Sequence, residues 1–132
     1  MIYLDSSALL KLIRKEAETD ALRDWLAPRA DQPVVTSEVG RVEVIRAARR
    51  VGDPALLEAR VVVDDLDLIA VDRAVQDLAC DIGDPLLSSL DALHLASAVL
   101  LGDDLAVFVA YDDRLTDAAQ TAGLAVATPG RA

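Results

Sequence analysis

Short apolar runs alternate with segments of helical periodicity along the whole chain, joined by brief turns. That alternation predicts an α/β fold whose parallel sheet is covered by helices on both faces. Hydrophobic residues make up 53% of the 132 positions, enough to fill a core at this length. No repeat, low-complexity tract or linker interrupts the pattern, so residues 1–132 read as one domain.

The first strand is the apolar run Ile2 to Leu4, ended by Asp5-Ser6-Ser7. Leu9, Leu12, Ile13, Leu22 and Leu26 then recur at helical spacing, which predicts a helix from about Ala8 to Trp25. A loop with two prolines, Pro28 to Pro33, leads to a second strand at Val34-Val35-Thr36, after which Ser37 caps a helix over 38–51. Gly52-Asp53-Pro54 ends that helix and opens another reaching Val63, because proline fits a first helical turn. Leu66 to Val71 reads as a third strand, Asp72 as the cap of a helix to about Ile82, and Gly83-Asp84-Pro85 as a break. A helix over 89–101, a fourth strand over 107–110, a helix over 113–122 and a last strand over 124–128 complete the order.

Charge is divided unevenly. Residues 1–60 carry ten basic and ten acidic side chains, whereas residues 61–132 carry three and thirteen, so the net charge of −10 belongs to the second half. Solubility accounts for part of that acidity, and a cation-binding cleft or a basic partner for the rest. Cys80 is the one cysteine and His94 the one histidine, which excludes a disulfide framework or a Cys/His zinc cluster and points to a reducing, cytoplasmic setting. The apolar stretch Leu90–Leu101 is too short for a bilayer and is interrupted by Asp91 and His94, so no membrane association is expected. Four aromatic residues offer little for stacking on bases, and Trp25 with Leu22 and Leu26 reads as core or as a dimer contact.

Four acids stand where this topology can bring them together: Asp5 after the first strand, Glu43 in the second helix, Asp91 in DALHLA, and Asp112 after VFVA. Ligands in parallel sheets gather at the carboxyl ends of the strands, where Asp5 and Asp112 fall. Each acid also has a structural role open to it. Asp5 could cap the first helix, although Ser6 and Ser7 can take that task and leave its carboxylate for the cleft. Asp91 completes a capping box with Ser88, Glu43 could pair with Arg46 or Arg50 along its helix, and either Asp112 or Asp113 must cap the last helix, with Asp113 suiting the cap. Converging carboxylates repel one another unless a cation neutralises them. Hard oxygen donors favour Mg²⁺, with Mn²⁺ as a substitute, over zinc or copper. Arg41, Arg46, Arg49 and Arg50 make a basic edge suited to phosphate. His94 lies one turn after Asp91 and could orient it or be a satisfied core residue; it receives no catalytic role, and without a base neither Ser6 nor Ser7 qualifies as a nucleophile.

The segments MIYLDSSALLKL, EVGRVEVIRAARR, SLDALHLASAVLLG and VFVAYDDRLTDAAQTAGLAV, in that order, resemble the PIN domain, and within it the VapC-type ribonuclease toxins of bacterial toxin–antitoxin pairs. The resemblance covers essentially the whole chain and implies an α/β/α sandwich with metal ligands at Asp5, Glu43, Asp91 and Asp112. Asp113 stands where the family often has a basic residue, so Asp112 and Asp113 both remain open as the fourth ligand. It further implies a Mg²⁺-dependent endoribonuclease and a homodimer, inhibited by a VapB-like antitoxin whose basic C-terminal segment enters the cleft. A noncatalytic PIN module, or an RNA-processing nuclease without an antitoxin, is the rival reading. A phosphoacceptor receiver domain would need a lysine after its fifth strand, and the only lysines are Lys11 and Lys15. No GxGxxG and no P-loop supports a nucleotide-binding enzyme.

Overall fold

The computed structural model describes residues 1–131; Ala132, the end of the expected 1–132 domain, lies outside the described residues. Its strands are β1 (Ile2–Leu4), β2 (Val34–Ser37), β3 (Asp67–Ile69), β4 (Val107–Val109) and β5 (Val126–Ala127), all parallel in the order β3-β2-β1-β4-β5. Its helices are α1 (Ser6–Ile13), α2 (Thr19–Leu26), α3 (Glu38–Val51), α4 (Asp53–Asp64), α5 (Arg73–Asp81), α6 (Ser89–Val99) and α7 (Asp113–Thr121). No helix among the described residues is long and apolar enough to cross a membrane.

Side chains alternate across a strand, and here both faces are apolar because both are covered. Ile2 and Leu4 of β1 and Val109 of β4 pack with Leu9 of α1, Leu22 of α2, Val44 of α3 and Val63 of α4. Tyr3 and Phe108 point to the other face, against Leu95 and Ala98 of α6 and Leu115 and Ala119 of α7. The central strand is therefore buried along its full length, with Ile2, Tyr3 and Leu4 all at 0% exposure.

One expected element divides. The helix expected over 8–25 is two helices, because the chain turns around Lys11 between them. Thr19 Oγ1 accepts the Glu16 N–H at 2.9 Å and donates to the Lys11 carbonyl at 2.7 Å, ending α1 and starting α2. The Lys11 ammonium is held between the Glu16 and Glu18 carboxylates at 2.9 Å each and lies 4.5 Å from the Tyr111 ring centre. The apolar spacing runs through this break because Leu9 and Leu22 face the same core from separate helices. β3 and β5 are also shorter than expected; each is an edge strand with one neighbour to extend its ladder. Trp25 packs on the first core with the Arg29 guanidinium 4.0 Å above its ring.

Gly40 sits inside α3, where glycine ordinarily weakens a helix by about 1 kcal/mol relative to alanine. Its reason is a close approach: a Cβ there would meet the Thr36 hydroxyl and lie 3.1 Å from Cε1 of His94 on α6. Gly40→Ala is accordingly expected to lower stability by about 1–3 kcal/mol through overpacking. The midpoint of urea unfolding reads this, and a gain in stability would contradict the close packing of α3 on the His94 ring.

Candidate active site

Neighbouring strands leave β1 on opposite sides, to β2 and to β4, so the crevice where the chain order divides opens at their carboxyl ends. Asp5 stands there. Its backbone N–H donates to the Val109 carbonyl at 3.1 Å, and its side chain is almost wholly buried. Oδ1 accepts the Ala8 N–H at 3.0 Å and the Ser7 hydroxyl at 2.6 Å. Asp5 is thus the N-cap of α1, a task the sequence had left to Ser6 or Ser7, and Oδ2 keeps no protein hydrogen bond among the described residues. Ser7 Oγ also accepts the Tyr111 N–H at 3.0 Å, tying α1 to the segment after β4. Burial pushes the Asp5 carboxyl up to about 6, against the two hydrogen bonds to Oδ1, with the negative charge of Asp91 adding to the rise.

Asp91 lies in the first turn of α6, where its N–H donates to Ser88 Oγ at 3.2 Å, as the capping pattern requires. Partial burial raises its pKa, and the charges of Asp112 and Glu43 raise it further. Asp112 is exposed and Oδ1 accepts the Leu115 N–H at 2.9 Å, so Asp112 caps α7. The expectation that Asp113 would be the cap is overturned: Asp113 lies inside the helix, turned to Arg131 Nη1 at 2.9 Å. A residue with extended backbone must precede the helix, and that residue is Asp112. It is nonetheless the carboxylate that acts on Asp91.

Glu43 makes no pair with Arg46 or Arg50; among the described residues neither arginine, nor Arg41 or Arg49, forms a salt bridge. Its Oε1 instead meets Nε2 of His94 at 2.7 Å, while Nδ1 of that ring meets the Tyr3 hydroxyl at 2.7 Å. His94 does not bond Asp91, the partner that its helical spacing suggested. Glu43 is 51 residues away, and no local signal in the sequence marks it as the partner.

All four acids selected from the sequence therefore lie near enough to act on one another electrostatically through Asp91. They do not close around one point: no three His, Cys, Asp or Glu side chains among the described residues form a ready chelating group. Beside them, Arg46 and Arg50 line a groove with Leu10, Val42, Glu43 and Leu90.

Comparison with known proteins agrees with the fold. The PIN domain family profile matches residues 2–120. Two curated relatives from Mycobacterium tuberculosis are similar over nearly their whole length: Ribonuclease VapC46, 48% identical over 128 residues (97% of each chain), and Ribonuclease VapC47, 44% identical over 133 residues (98% of each). In the crystal structure of VapBC2 from Rickettsia felis bound to a DNA fragment from their promoter, a chain superposes with a TM-score of 0.76 at 14% identity, covering 96% of this chain and 98% of that one. A match over this much of the chain, with relatives this similar, places the protein in the PIN domain family, among its VapC-type members.

Proposed function

We propose that this chain is a metal-dependent endoribonuclease and the toxin of a type II toxin–antitoxin pair. The observation that carries the reading is that the charges of Asp5, Asp112 and Glu43 are all felt with that of Asp91, with Asp5 held as a buried carboxylate at the tip of β1. The names of the similar ribonucleases support the reaction class.

The donor set fits Mg²⁺, or Mn²⁺ in its place. It is all carboxylate, Asp5 Oδ2 and Asp112 Oδ2 have no protein hydrogen bond among the described residues, and an open arrangement suits an ion that keeps several waters and takes few protein ligands. When bound, such an ion supplies a lowered pKa for water and positive charge beside the phosphate. The chain's own part is to orient the attacking water by hydrogen bonds to carboxylate oxygens and to receive its proton. Attack at phosphorus forms a new P–O bond and breaks the bond to the 3′ oxygen, which leaves with a proton. Arg46, Arg49 and Arg50, exposed and free of salt bridges, are placed to hold flanking phosphates. A basic antitoxin segment suits the same crevice, since residues 61–132 hold thirteen acids against three arginines; the VapBC2 complex supports such a partner. Homodimer formation is supported by Leu57 and Val61, two exposed apolar side chains one turn apart on α4, 68% and 59% exposed.

Asp5 gives the reading a pH signature. Its folded value of about 6 lies above the ordinary 3.8, so between about pH 4 and pH 6 the unfolded chain releases this proton first. Stability without metal then falls as pH rises through that window, by on the order of 3 kcal/mol. Asp5→Asn keeps an oxygen for the Ala8 and Ser7 hydrogen bonds and carries no charge. It is expected to flatten this slope, to be more stable than wild type at pH 7 without metal, and to cut RNA cleavage by about 10²-fold or more. Isothermal titration with Mn²⁺ checks the cause, and unchanged binding in Asp5→Asn would sink the metal assignment.

Replacing Arg46, Arg49 and Arg50 together is expected to flatten the salt dependence of single-stranded RNA binding, the slope of log K against log salt changing by about 2. An unchanged slope would route the RNA elsewhere. Light scattering at micromolar concentration is expected to give a dimer mass that Leu57→Asp with Val61→Asp reduces to the monomer.

A further inference from the structure

The ring of His94 is fixed more firmly than a space-filling core residue needs to be. It is wholly buried, and both nitrogens are occupied at 2.7 Å, Nδ1 by the Tyr3 hydroxyl and Nε2 by Glu43 Oε1. Tyr3 meets the ring edge-on, at 5.8 Å between centres and 84° between planes, and is itself stacked on Phe108 at 5.2 Å. On the remaining side Gly40 omits the Cβ that would crowd Cε1. The three members come from β1, α6 and α3, so the chain of hydrogen bonds crosses the interior and ends in the crevice.

An ionised carboxylate only accepts hydrogen bonds, which puts a hydrogen on Nε2. Burial pushes the Tyr3 phenol above its ordinary range, so it is a hydroxyl and can donate to Nδ1. A free glutamate side chain has three rotatable bonds and gives up rotamer freedom when fixed. Arg46 and Arg50, on the same helix, could draw Glu43 towards solvent, and yet Glu43 turns to the interior.

We propose that Tyr3 and His94 are positioning residues that aim the Glu43 carboxylate into the crevice, Oε1 held by Nε2–H and Oε2 presented to the metal site. His94 is not itself a ligand, because neither ring nitrogen is free. The proposal rests on the metal-dependent reading above. Residues that orient a ligand in this manner typically change metal affinity by 10–100-fold when lost.

Three measurements decide it. In metal-free protein, nitrogen-15 spectra of the His94 side chain are expected to show hydrogen on Nε2, with a signal that moves in Glu43→Gln; hydrogen on Nδ1 alone would overturn the proposal. Titration with Mn²⁺ alone is expected to show affinity about 10–100-fold weaker in His94→Leu. His94→Gln, whose amide can donate to Glu43, should recover part of that loss, as mere filling of space would not. Should His94→Leu fail to fold, Tyr3→Phe removes a single hydroxyl and is expected to weaken Mn²⁺ several-fold; unchanged affinity in either folded variant overturns the proposal. If Glu43→Gln loses Mn²⁺ while His94→Leu keeps it, only the positioning role falls. A wild type that binds no Mn²⁺ removes the metal reading together with it.

Discussion

A carboxylate buried at the tip of the central strand is the constraint to which the rest of the site responds. Asp5 is 2% exposed, and its charge is opposed both by burial and by Asp91. Two hydrogen bonds to Oδ1 offset part of that penalty, one from the first turn of α1 and one from Ser7, which in turn accepts from Tyr111. The start of α1 is thereby held by Asp5 Oδ1 directly, and the segment after β4 through Ser7 Oγ. An alanine at this position would carry no buried charge but would lose the cap of α1 and the tie to Ser7. Groups arranged in this way are where chemistry is done, because a strained anion gains most from a cation placed beside it.

The two-faced sheet explains how distant parts of the chain reach the end of β1. β1 carries Ile2 and Leu4 to one core and Tyr3 to the other, while its last residue hands the chain to Asp5. Tyr3 therefore links the strand that bears Asp5 to α6, which bears Asp91 and His94, and through His94 to Glu43 on α3. Packing and polar contacts coincide at Gly40, where the absence of one methyl group lets the α6 ring lie against α3. The acids are consequently held by rigid elements and their caps. Capping engages only Oδ1 of Asp5 and of Asp112.

Much of this was legible in the residues themselves. Alternation of apolar runs and helical spacing gave the element order, and α3 was read at its observed bounds because Ser37 and Gly52 mark its ends. The positions of Asp5, Glu43, Asp91 and Asp112 at strand ends and helix edges singled out four acids whose charges act on one another through Asp91. What failed were local choices with several candidates side by side: Asp5 against Ser6 and Ser7 as cap, Asp112 against Asp113, and one helix against two around Thr19. Adjacent residues with similar capping ability differ little in free energy until the backbone angles of the turn are set, and those depend on what the helix packs against.

Periodicity and helix-boundary residues determined the element order and the fold class, because those signals act within a few residues of one another. Only the tertiary structure decided the partner of Glu43, the inward turn that separates it from Arg46 and Arg50, and the reason for Gly40. Those depend on α3, α6 and β1 meeting across the sheet, where the hydrogen bond from His94 to Glu43 spans 51 residues that no sequence spacing relates.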